Sequence, residues 1–281
     1  METDYYFINN DSRFINIAGE DRQDFLQGLI TNDINLCNKN NPIYSCLLSP
    51  QGKFLADFFV IELDGIYLIE IHNQFFDNIL QKLQLYKLKS KVTITENNDF
   101  LSYVLFNNNN KKITDPNHAI SFQDPRNNNI GIKFILNVNN AFVLKEWDLK
   151  TVDFNYYREI LMKNLIPYSP DDLIENKSLL LENNFQNINA INWDKGCYVG
   201  QEITARMKYR ALLKKKIYTL EIISGSVQVG EKITINDISI GEIISITKKF
   251  SIAMLKIDAA NIIIKNDKVI DLSNATVKII H

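Results

Sequence analysis

The spacing of apolar positions changes along this chain, and the changes predict its elements. Phe25, Leu26 and Leu29 recur at helical spacing behind Glu20-Asp21, so residues 21–29 are expected to form a short helix with acidic residues at its N-terminus. Residues 43–48 form a strand-like run, Pro50-Gln51-Gly52-Lys53 a turn, and residues 54–63 the return strand. Asp64-Gly65 is a hairpin signal leading to a third strand at 66–71. From about Gln74, Phe75, Phe76, Ile79, Leu80 and Leu83 fall at the spacing of a helix core. Strands followed by a helix in this order predict an α+β arrangement.

Further along, residues 92–95, 101–106 and 130–135 look like strands between polar loops, and residues 154–163 like an amphipathic helix ended by Pro167. Residues 168–195 show no regular period. From about Lys215 the pattern is entirely short β-runs separated by turns, as in a small barrel or sandwich. Three domains are therefore expected: 1–110, 111–213 and 214–281.

Composition narrows the class. The 281 residues are 46% hydrophobic and 23% charged, with a net charge of −2. This is an ordinary globular balance and gives no general attraction to nucleic acid. No apolar run approaches the length that spans a bilayer. The opening Met1-Glu2-Thr3-Asp4 is acidic and unlike a secretory or transit leader. Three cysteines, Cys37, Cys46 and Cys197, contain no CxxC pair, so neither a disulfide framework nor a zinc site follows. A reducing cytoplasm is the expected location. His72, His118 and His281 show no metal-ligand spacing, and His72 at a strand end reads as structural.

The densest chemistry lies in Lys195-Gly196-Cys197-Tyr198-Val199-Gly200-Gln201-Glu202. Gly196 and Gly200 suggest a tight turn that brings main chain close to a neighbour, with helical spacing from Gln201 onward. Cys197 is either a thiol presented by that turn or a small buried hydrophobe. The eight residues resemble the signature of the YgfZ-type folate-binding proteins and their iron–sulfur assembly relatives, themselves kin to the glycine-cleavage aminomethyltransferase, or T-protein. Gly19-Glu20-Asp21, Phe25-Leu26-Gln27-Gly28, Thr31-Asn32-Asp33, Ser49-Pro50-Gln51-Gly52-Lys53 and Leu180-Leu181-Glu182-Asn183-Asn184 are similar to other parts of that family.

The resemblance implies a T-protein-like fold: α+β modules around a central cavity, plus a C-terminal β-barrel. It implies tetrahydrofolate as cofactor, iron–sulfur client or assembly proteins as partners, and a link to tRNA modification through iron–sulfur enzymes. It describes an accessory protein rather than a free-standing enzyme, with Cys197 as the functional thiol and a folate-dependent aminomethyltransferase of glycine cleavage as the alternative. Glu182 is the implied pterin carboxylate, a surface carboxylate being the alternative. Asp57 stands where the T-protein carries two adjacent aspartates; here the pair is Ala56-Asp57, which speaks against aminomethyl transfer. Asn32 is implied at the cavity, although with Asp33 it equally suits a turn cap. Lys195, Tyr198, Gln201 and Arg206 complete the implied folate contacts. Tyr198 and Trp193 serve equally as core anchors. Arg206, Lys208, Arg210 and Lys214-Lys215-Lys216 suit a polyglutamate tail, an acidic partner, RNA phosphates or simply a solvated helix end.

Overall fold

The computed structural model describes residues 5–106, 119–140, 149–210 and 213–281. The opening tetrapeptide, Asn107–Asn110, His118, Ala211 and a domain boundary at 110 lie outside them. The described chain builds three sheets. The first has the order β3-β4-β5-β2-β6, from β2 (Ser12–Ala18), β3 (Ile43–Leu48), β4 (Phe54–Leu63), β5 (Ile66–His72) and β6 (Thr93–Asn97). Its neighbours are all antiparallel. Asp64 and Gly65 both take positive φ, 48° and 83°, which closes a tight hairpin pairing Leu63 with Ile66. Helix α1 (Arg22–Gln27) precedes β3, and α2 (Asn73–Tyr86) follows β5 and buries Phe75, Phe76, Ile79 and Leu83.

The second sheet has the order β10-β1-β7-β9-β8, from β1 (Tyr5–Asn9), β7 (Phe100–Phe106), β8 (Ala119–Gln123), β9 (Ile132–Asn137) and β10 (Lys150–Thr151). The chain thus begins in this sheet, crosses to the first, and returns. Strand alternation sorts its side chains. Val104, Phe106, Phe122 and Ile135 join the main core, whereas Tyr103, Leu105, Phe134 and Leu136 form a separate cluster. Helix α3 (Phe154–Lys163) starts at Asp153, whose side chain accepts from the Tyr156 N–H. Short α4 (Ser169–Asp172) and then α5 (Gln201–Tyr209) follow.

The third sheet, β12-β13-β14-β11-β16-β15, is a curled half-barrel from β11 (Lys215–Gly225), β12 (Lys232–Ile235), β13 (Ile238–Ile246), β14 (Phe250–Lys256), β15 (Val269–Asp271) and β16 (Ala275–Ile279). The expectation of β-structure alone from Lys215 is corrected by α6 (Ile257–Lys265). Its Ile262-Ile263-Ile264 run has strand-like composition, but burial of Ala260 and Ile263 follows an i, i+3 helical spacing. Polar ties dock this sheet on the rest. Arg158 Nη2 donates to Asp172 Oδ1 at 2.5 Å and to Ser245 Oγ at 2.8 Å, and Thr219 Oγ1 donates to the Met162 carbonyl at 2.5 Å.

Candidate functional site

A cavity of about 60 Å³ lies between the first two sheets, closed on one side by Pro167, Tyr168, Ser169 and Pro170. No residue after Pro170 lines it. Cys46 pairs with Asp57 and Phe59 with Glu70, so alternation puts Tyr44, Asp57, Phe59 and Glu70 on one sheet face. Ala56 points the other way and is fully buried. Of Ala56-Asp57, Asp57 is the residue that lines the cavity.

The Tyr44 hydroxyl donates to Asp57 Oδ2. Burial and then the Asp57 charge push the phenol's pKa well up, so it stays a donor. Glu70 Oε1 accepts from Ser12 Oγ at 2.7 Å and from Lys133 Nζ at 2.8 Å. Glu70 Oε2 is buried with no hydrogen-bond partner. Arg126 grips Asp124 bidentately, Nε to Oδ1 at 3.0 Å and Nη2 to Oδ2 at 2.8 Å, and Nη2 also donates to Tyr157 Oη at 2.9 Å. Burial opposes the Arg126 charge, but Asp124, Tyr157 and Tyr44 together outweigh it and hold the pKa well above its ordinary value. His72 Nδ1 accepts from the Gln74 N–H at 3.1 Å, which leaves the ring proton on Nε2, 2.9 Å from Tyr168 Oη. Burial lowers the His72 pKa against the pull of Asp11, Asp57 and Asp171.

The signature loop is built differently. Lys195 Nζ donates to the carbonyls of Gln27, Ile30 and Asn32 at 2.9, 2.7 and 2.8 Å, satisfying all three ammonium donors on the turn after α1. Burial pushes the Lys195 pKa down to about 8, with Asp33 opposing. The Val199 N–H donates to Gly28 O. Gly200 has φ +82°, and a Cβ there would lie 2.4 Å from the Ser49 carbonyl oxygen. Gly52, φ +68°, would likewise place a Cβ 2.8 Å from Gly200 O. The two glycines therefore interlock the loop with the Ser49–Lys53 turn. Gly196 has open space around its Cβ position and needs no such freedom. Between these anchors Cys197 is exposed. Cys37 and Cys46 are buried, and burial pushes the Cys37 thiol up to about 12 and Cys46 well above its ordinary value.

Of the folate contacts implied by resemblance, Asp57 lines the cavity and the others do not. Glu182 lies outside this cavity's wall, 3.6 Å from Lys215, on a turn that packs on β11. Asn32 donates to the carbonyls of Tyr44 and Asn189 at 2.9 and 2.8 Å, stitching its loop to β3. Lys195 is committed to carbonyls, and Tyr198 is buried in the main core. The Gln201 N–H closes a turn on Tyr198 O at the start of α5. Arg206 pairs with Glu202 on its own helix. Asp33 caps the turn that follows it, accepting from the Asn35 N–H. Glu70, His72, Arg126 and Lys133, which the sequence reading did not select, line the cavity instead. The available signal was a lone charge within an apolar strand, as in Leu68-Ile69-Glu70-Ile71 and Ile132-Lys133-Phe134-Ile135.

This architecture is a T-protein-like α+β fold. A solved structure of glycine cleavage system aminomethyltransferase T from Bartonella henselae superposes with a TM-score of 0.75, over 99% of this chain and 85% of that one, at 11% identity. The chain is similar to proteins named iron–sulfur cluster assembly factor IBA57 homolog, mitochondrial, the kind of iron–sulfur assembly relative that its signature resembles. It is 29% identical over 224 residues to the one from Neurospora crassa, covering 73% of this chain and 51% of that protein. For Mycosarcoma maydis the values are 28% over 220 residues, 73% and 54%; for Dictyostelium discoideum, 26% over 244 residues, 73% and 59%. The chain thus spans a little over half the length of these curated relatives. No family model matches it. The relatives' mitochondrial names correct the expected cytoplasmic location. Reduced thiols argue against an oxidising compartment but do not separate cytoplasm from mitochondrion. No described helix is long and apolar enough to cross a membrane.

Proposed function

We propose that this protein is a folate-binding accessory factor in the assembly or repair of iron–sulfur enzymes, including those that modify tRNA. The carrying observation is the cavity with its unpartnered buried carboxylate oxygen, together with an exposed thiol that is not part of its wall. The residues fit the ring end of a reduced folate. Asp57 and Glu70 supply acceptors for ring N–H groups, and Tyr44, Tyr157 and Tyr168 supply aromatic wall. The cavity's 60 Å³ suits a ring edge, with an anionic tail extending outward. When bound, the folate would supply one-carbon carrier chemistry; the chain's part is to bind it and exclude water. Among the described residues no group of three His, Cys, Asp or Glu is placed to hold a metal ion. Cys197 therefore offers one sulfur and acts only with groups from another molecule. Calorimetric titration of tetrahydrofolate into the purified chain should give saturable one-to-one binding, and no binding would reject the reading.

A second reading, aminomethyl transfer, is favoured by the cavity-facing Asp57, which the Ala56 substitution leaves in place. A glycine-cleavage exchange assay separates the two: the accessory reading expects no exchange.

A further inference from the structure

We propose that Glu70 is the carboxylate that selects the cavity's ligand: its free Oε2 takes an N–H donor from an uncharged, donor-rich ring edge, with Lys133 as its fixed counter-charge. The identity of the ligand rests on the folate reading above; the chemistry of the subsite rests on the following geometry. Glu70 is 3% exposed, and its two oxygens are unequal. Oε1 already accepts from Ser12 Oγ and Lys133 Nζ, whereas Oε2 accepts from nothing. A buried carboxylate oxygen is normally hydrogen-bonded, and one left bare at a cavity wall points to a donor that arrives from outside.

The surrounding charges say what kind of donor. Both cations of the wall are committed, Lys133 to Glu70 at 2.8 Å and Arg126 to Asp124 through two bonds. No free cation remains there for a carboxylate or phosphate. Asp57 adds a second acceptor, since the Tyr44 hydroxyl occupies only its Oδ2. The face of Phe59 is not free for stacking: Lys133 Nζ lies 4.1 Å and the Arg126 guanidinium carbon 5.0 Å from its ring centre. A flat ligand therefore presents its edge to Glu70. The cavity volume, about 60 Å³, matches such an edge; it equals roughly four water-sized sites.

Three probes and two variants test this. The probes are tetrahydrofolate, 6-methyltetrahydropterin (the ring without the tail) and 4-aminobenzoylglutamate (the tail without the ring), each titrated calorimetrically into the purified chain. The expected result is binding of the first two and not the third. Glu70→Gln turns an amide toward the cavity and should weaken both ring-bearing probes at least tenfold. Because Glu70→Gln leaves Lys133 without its counter-charge, the double variant Glu70→Met/Lys133→Met removes the pair together at similar volume and should show the same loss, with folding checked by circular dichroism. If a folded Glu70 variant binds the ring-bearing probes as the wild type does, Oε2 is met by water alone and the assignment falls, while folate binding stands. If the wild type binds 6-methyltetrahydropterin in a Glu70-dependent way but not tetrahydrofolate, the assignment stands and the folate reading falls. Binding of neither removes both.

Discussion

Lys195 and Lys133 are both buried, one in the signature loop and one in the cavity, and their partners differ in kind. Lys195 meets three backbone carbonyls, one for each ammonium donor. Lys133 meets one oxygen of Glu70 and leaves the other bare. Complete polar accounting marks scaffold, and incomplete accounting marks a place for something else. By that measure most of the signature is scaffold. Lys195, Tyr198 and Gly200 lock the loop to α1 and to the Ser49–Lys53 turn so that Cys197 stands out on a fixed backbone.

The comparison breaks most visibly under substitution of the two lysines. Lys133→Met strands the Glu70 charge and should destabilise by about 3–5 kcal/mol in urea unfolding, with most of the loss recovered when Glu70→Met is added. Lys195→Ala strands three carbonyls and should cost about 3 kcal/mol, with no single second substitution to rescue it, because its partners are main chain. Gly200→Ala adds a Cβ 2.4 Å from Ser49 O at positive φ and should cost about 2 kcal/mol. A melting temperature like the wild type's would show that the loop and turn are not interlocked. Smaller still is a pH effect. The folded pKa of His72 lies below its ordinary 6.5, so below that pH the unfolded chain binds more protons and stability falls as pH falls. Unfolding at pH 5.5 and 7.5 should show this difference shrink in His72→Gln; an unchanged difference would assign it to other groups.

Where pairing is local, the sequence pattern found the element. β3 and β4 span the expected residues, Asp64-Gly65 closes their sheet's next hairpin, and α3 matches its amphipathic window. Pairing across distance was not legible. β1 joins β7 only after β2–β6 have intervened, and nothing in Tyr5–Asn9 names that partner. The same limit hid the cavity. Glu70 and Lys133 each look like a lone charge until two sheets meet and pair them. Nor does the sequence show that Glu182, on a turn that resembles a family element, meets Lys215 of the half-barrel. The thiol's exposure was legible as one of two alternatives from the glycines beside it, although Gly200 alone carries the steric demand.

The central claim is that the cavity and the thiol are separate stations of one protein. The most direct measurement is tetrahydrofolate affinity of Cys197→Ala against the wild type by calorimetry, with the same variant tested for complementation in cells lacking the native gene. The account predicts an affinity within about twofold, since an exposed thiol outside the cavity wall contributes no hydrogen bond to the ligand, together with failed complementation. A tenfold loss of folate affinity would make the two sites one, and full complementation by the alanine variant would leave the thiol without a function.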